Sequence, residues 1–186
     1  MKPIVTVPNK VLSGMATEVK VFDKKLNTIL LDMKTSLIAT KNPKGVGLAA
    51  PQIGLPLRIF ITRPTEKADI RVFINPIVIT SKNTDGPPSP PAGESGEASK
   101  MEGCLSVPNL WGKVKRNNDV TLKFQNENGI IKEETFTGFL STIIQHETDH
   151  INGILFVQRI LEQKGKLFEV VTDEDGKEVF EEVQLH

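Results

Sequence analysis

The chain has 186 residues, 23 Lys+Arg balanced by 23 Asp+Glu, and one cysteine, Cys104. That length fits a single domain, residues 1–186, able to bury a core without staples, and a lone thiol excludes an internal disulfide and suits a reducing compartment. Zero net charge argues against nucleic acid or a charged membrane surface as the main partner, and no apolar run approaches the roughly 18 residues of a membrane span. The first residues, MKPIVTVPNKVL, lack an apolar h-region, so no signal peptide and a cytoplasmic location are expected.

In chain order, residues 9–15 fit a short helical turn. A helix is predicted from Asp23, a plausible N-cap, to Asn42-Pro43. Leu26, Ile29, Leu30, Met33 and Leu37 recur on one face of it at spacings of three and four. Residues 45–54, GVGLAAPQIG, read as a loop or an irregular edge segment. Residues 58–62 and 70–80, rich in Ile, Val and Phe, read as strands. Residues 82–100, KNTDGPPSPPAGESGEASK, hold no large apolar side chain and predict a flexible surface loop. Residues 104–107 fit a short strand. Residues 120–125 and 130–137 fit a hairpin turning on Asn-Glu-Asn-Gly. A second helix is predicted over 138–152, closed by Gly153 as its C′ residue, and a last hairpin over 167–185. The fold class is α+β: mostly antiparallel strands packed around a central helix that carries an HExxH motif.

That motif is Gln145 to His150, QHETDH. On a helix His146 and His150 share a face and can reach one metal ion, while Glu147 can move protons beside it. The pattern is short, and two histidines flanking an ordinary glutamate on a solvated helix would read the same. Phe139, Leu140, Ile143 and Ile144 make the preceding turns apolar, which favours a helix running through the core. Burying two histidines and a glutamate there is costly without a metal or other partners. His186, the last residue, is a poor third ligand. Cys104 is the only thiol and suits zinc or ferrous iron. Three ligands with no convincing fourth favour an open, catalytic site over a closed structural one. A zinc peptidase taking Glu169 or Glu174 as third ligand is the rival, as is a non-catalytic metal-binding module.

Three segments in order, GVGLAAPQ (45–52), EGCLSV (102–107) and QHETDH (145–150), resemble the signature motifs of the peptide deformylases. The resemblance runs from the first helix to Phe156. It implies a metal-dependent hydrolase that removes the formyl group from the N-terminal formyl-methionine of new polypeptides and releases formate. It implies that Cys104, His146 and His150 bind the metal, that Glu147 is the general acid/base, and that Gln52 and the Leu105 N–H face the formyl oxygen. It points to Fe2+ in the cell, with Zn2+, Ni2+ or Co2+ as substitutes, and to nascent formyl-methionyl polypeptides as partners. Helical spacing before His146 puts Phe139, Thr142 and Ile143 on its face, and with Val46 and Gly47 they are the expected methionine pocket. Met101 stands where many family members carry an acid. The tail, 167–186, holds seven acids against one base, Lys177, so any transient ribosome contact is not expected through a basic C-terminal helix.

Overall fold

The computed structural model describes residues 1–41, 43–82, 101–173 and 175–184. Among these it contains nine strands: β1 Gly47–Ala49, β2 Ile59–Thr62, β3 Arg71–Lys82, β4 Glu102–Cys104, β5 Val107–Gly112, β6 Asp119–Gln125, β7 Ile131–Thr137, β8 Leu167–Thr172 and β9 Glu178–Glu182. The helices are α1 Lys24–Ala39, α2 Gly138–Ile151 and α3 Phe156–Glu162, with 3-10 turns at Lys10–Ser13 and Ala50–Ile53. The segment expected to be a flexible loop lies, from residue 83 to 100, outside the described residues, as do Glu174 and His186. No described helix is long and apolar enough to cross a membrane.

Two antiparallel sheets form, in the orders β1-β2-β3-β6-β7 and β4-β5-β8-β9. The α+β arrangement read from the sequence is the observed one. In β6 the alternation of Val120, Leu122 and Phe124 sends these side chains inward, the period-2 rule for a strand with one buried face. Helix α1 starts where the Asp23 carboxylate accepts the Leu26 N–H at 3.0 Å, and its Leu26, Leu30, Met33 and Leu37 pack on β1, β2 and the following 3-10 turn.

Helix α2 sits against the large sheet, touching β1, β2, β6 and β7. Ile144 and Ile151 join Phe60, Phe73, Phe124 and Phe136 in one cluster, where Phe60 stacks on Phe73 at 4.7 Å. Each fully buried Phe contributes about 1.5–3 kcal/mol, so α2 is held rigidly by its apolar side while the opposite side faces the second sheet. Gly153 follows at φ 73°, closing the helix in the left-handed region glycine favours.

One expected element is wrong. Residues 104–107 are not one strand: Cys104 ends β4, Val107 begins β5, and Leu105 and Ser106 form the turn between them, with Cys104 paired across it to Val107. Strand β5 and helix α3 were not expected. The turn has consequences for chemistry: it holds the thiol at a hairpin tip, where Phe156 and Ile160 of α3 and Leu167 of β8 pack around it.

Candidate metal centre

The site is assembled by three elements. Helix α2 supplies His146 and His150, one turn apart, with ring centroids 4.9 Å from each other. The β4–β5 turn supplies Cys104, whose Sγ lies 3.2 Å from His150 Nε2. One ligand atom from each of the three residues lies within 4.8 Å of the others. Ligands that share one tetrahedral ion at about 2.0–2.3 Å stand roughly 3–4 Å apart, so this donor set fits a single transition-metal ion.

The electrostatics agree. Burial alone would raise the Cys104 thiol, but the charge and hydrogen bonds of His150 and His146 outweigh it and hold the thiol well below its ordinary value. Burial would lower His146, but Cys104 and Glu102 outweigh that and raise it well above. The surroundings therefore stabilise a thiolate and one positive charge beside it. A divalent cation held by the three residues would supply such a charge.

Glu147 follows His146 on the helix yet lies on the inner side, 3 % exposed. Burial raises its carboxyl to about 7, against the lowering effect of both histidines. Among the described residues its Oε2 has no hydrogen-bond partner. Gly47 of β1 lies directly against it: a Cβ there would overlap Glu147 Oε1 and Ile143. Gln52, 1 % exposed, is fixed at the 3-10 turn after β1. Its Oε1 accepts the Ala49 N–H at 2.8 Å, which aims Nε2 at Cys104 Sγ, 3.6 Å away. Leu105 occupies the β4–β5 turn beside Cys104 and packs on the α1 cluster.

Residues 1–166 match the polypeptide deformylase family. The chain belongs to that family. It is 38% identical over 175 residues to a peptide deformylase of Campylobacter jejuni, covering 91% of each chain. A peptide deformylase of Helicobacter pylori is 38% identical over 172 residues, covering 89% of each. Among solved structures, a peptide deformylase from Legionella pneumophila superposes with a TM-score of 0.72 at 34% identity, covering 86% of this chain and 85% of that one. One from Thermotoga maritima superposes at 0.71 with 31% identity, covering 86% and 97%.

In this deformylase-family chain His146 is oriented by an ion-pair chain that sequence reasoning missed. Glu102 Oε2 lies 3.0 Å from His146 Nδ1. Arg116 donates to both Glu102 oxygens, at 2.8 and 2.9 Å, and to Asp149 Oδ2 at 2.6 Å. Arg159 donates to Asp149 Oδ1 at 2.7 Å. Burial would raise Glu102, but its bonds to Arg116 and His146 outweigh that and bring it to about 2. Such a carboxylate fixes the tautomer and the ring plane of a ligating histidine. Glu102 and Asp149 could have been suspected, since they sit inside the EGC and HETDH motifs. Arg116 and Arg159 carry no local signal.

The expected pocket residues divide. Gly47 and Ile143 are brought against Glu147. Val46, Phe139 and Thr142 are half-buried, and the Thr142 hydroxyl has no partner among the described residues. A cavity of about 220 Å³ opens beside Cys104, lined by Leu105, Val107, Leu110 and Trp111 among others. A larger concavity of about 380 Å³ lies behind α2, between Lys115, Arg116, Thr148 and Arg159, and includes none of Cys104, His146, Glu147 or His150. Glu169, the rival third ligand, is exposed on β8 opposite Leu110 and is not in the metal-ligating group.

Proposed function

We propose that this chain is a metal-dependent hydrolase that removes the N-formyl group from nascent formyl-methionyl polypeptides and releases formate. The observation that carries this reading is a three-ligand Cys-His-His group with a buried, unpaired glutamate oxygen beside it. Cys104, His146 and His150 would hold one divalent cation. When bound, such a cation acts as a Lewis acid on carbonyl oxygen and lowers the pKa of water toward neutrality.

The chain's own residues then divide the remaining work. Glu147 accepts a proton from the attacking water and returns it to the leaving amine. The Gln52 amide, locked by Ala49, and the Leu105 N–H donate to the oxyanion that forms on the formyl group. Gly47 lets the substrate backbone lie close to Glu147. Val46, Gly47, Phe139, Thr142 and Ile143 take the methionine side chain. Glu102 and Arg116 keep the His146 ring oriented throughout.

Fe2+ is the proposed cellular metal. Zn2+ would bind this donor set more tightly, and Ni2+ or Co2+ are workable substitutes. A reducing compartment keeps the thiol available, which supports a cytoplasmic site of action. Residues 1–186 are proposed to act as one catalytic domain, with no ribosome contact through a basic C-terminal helix. The test is Cys104→Ala, assayed anaerobically for bound metal and for formate release from formyl-Met-Ala-Ser. Loss of both is expected. Retained metal and turnover would return the site to a ligand set without the thiol.

A further inference from the structure

The family match ends at residue 166, and the next element is the β8–β9 hairpin. That hairpin reaches the cavity beside Cys104: Val170 and Glu178 line the same 220 Å³ space as Cys104 and Leu105, while His146, Glu147 and His150 lie outside its lining. Strand alternation explains the reach. Thr172 pairs with Glu178 and Val170 with Phe180, so these four side chains share one face of the small sheet. Trp111 of β5 is on that face too, edge-on to Phe180 with centroids 6.2 Å apart and planes at 85°. The indole is seated on Gly103, where a Cβ would lie 2.8 Å from its ring, one residue from the thiol. The wall beside Cys104 is thus continuous: Cys104, Trp111, then Val170 and Glu178.

Its charge is one-sided. Among the described residues lining the cavity, Glu178 is the only carboxylate and none is Lys or Arg. The Glu178 side chain is exposed, and among the described residues it has no ion-pair or hydrogen-bond partner. In the adjoining turn Asp173 and Asp175 outnumber Lys177, whose backbone N–H is bound to the Asp173 carboxylate. Glu181, by contrast, falls on the opposite face of β9, paired with Glu169.

From this continuity and charge we infer that the β8–β9 hairpin is a specificity wall for the substrate residues that follow the formyl-methionine, with Glu178 selecting peptides that carry a lysine or arginine there. The inference rests on the deformylase reading, and it takes the residues after the formyl-methionine to run past Cys104 into this groove. The apolar surfaces of Trp111 and Val170 contact the peptide stem, and the carboxylate meets the cationic tip. Glu178 is a positioning residue for the peptide and takes no part in the chemistry.

The experiment uses the metal-loaded protein and five-residue formyl-Met peptides carrying a single Lys or a single Glu at the third, fourth or fifth place. At low ionic strength the parent should favour Lys over Glu in kcat/KM at one of these places by about two- to five-fold, the size of an exposed ion pair. The preference should shrink in high salt. Glu178→Gln should abolish it, Glu178→Lys should reverse it, and Glu181→Gln should keep it. Trp111, the only tryptophan, gives a second readout without turnover: its fluorescence should report tighter binding of the unformylated Lys peptide in the parent but not in Glu178→Gln. Equal Lys-to-Glu ratios in parent and Glu178→Gln at every place, with formate still released, would overturn this inference alone. A collapse produced equally by Glu181→Gln would also overturn it, by showing an effect of net charge. No formate from any peptide would overturn the deformylase reading, and this inference with it.

Discussion

Arg116 offers the sharpest quantitative test of how the site is held. Its side chain is only 6 % exposed, and three charge-assisted bonds of 2.6–2.9 Å tie it to Glu102 and Asp149. Removing one member of a buried ion pair costs about 3–5 kcal/mol, because the charge left behind loses its counter-charge but stays out of water. Here each carboxylate keeps one partner after the change: Glu102 keeps His146, and Asp149 keeps Arg159. The low end of that range applies, so Arg116→Met should cost about 3 kcal/mol in the metal-free protein. For a chain of this size that is a fall of about 6–12 °C in Tm. Metal affinity should fall about 10- to 100-fold, since the carboxylate that orients His146 is no longer fixed. Thermal unfolding of the metal-free protein and a chelator competition measure the two effects separately. A Tm within about 2 °C of the parent, with unchanged metal affinity, would refute the claim that this ion-pair chain supports the ligands.

Other substitutions probe the substrate side. Gly47→Ala should retain metal but lower kcat/KM at least about tenfold, because the added methyl overlaps Glu147 Oε1 and displaces the carboxylate; the check is metal content beside formate release. Thr142→Phe should raise KM for formyl-Met peptides and relatively favour formyl-Ala peptides with metal unchanged; equal effects on both substrates would place the methionine pocket elsewhere.

What could be read from the sequence was what depends on near neighbours. The 3.6-residue spacing of Leu26, Leu30, Met33 and Leu37 defines α1, and an i, i+4 histidine pair defines the working face of α2. The β4–β5 turn was missed because Leu105 reads as an apolar strand residue and Ser106 is a weaker turn former than Gly, Pro or Asn. Strand β5 was hidden by Pro108 and by Asn109 at φ 64°, both unusual inside a strand. Helix α3 is seven residues long and buries only Phe156 and Ile160, too short a pattern to show a period. The network of Glu102, Arg116, Asp149 and Arg159 joins four separate parts of the chain. Only the folded topology brings them within bonding distance, and no local spacing encodes it.

The central claim is that Glu147 moves protons for a hydrolysis carried out beside a Cys-His-His metal. The most direct measurement compares parent and Glu147→Gln, both loaded anaerobically with Fe2+, for bound metal and for formate released from formyl-Met-Ala-Ser. The amide cannot accept a proton, so the variant should hold one metal per chain and lose about 10²- to 10⁴-fold in kcat. Near-parent turnover with metal bound would contradict the claim.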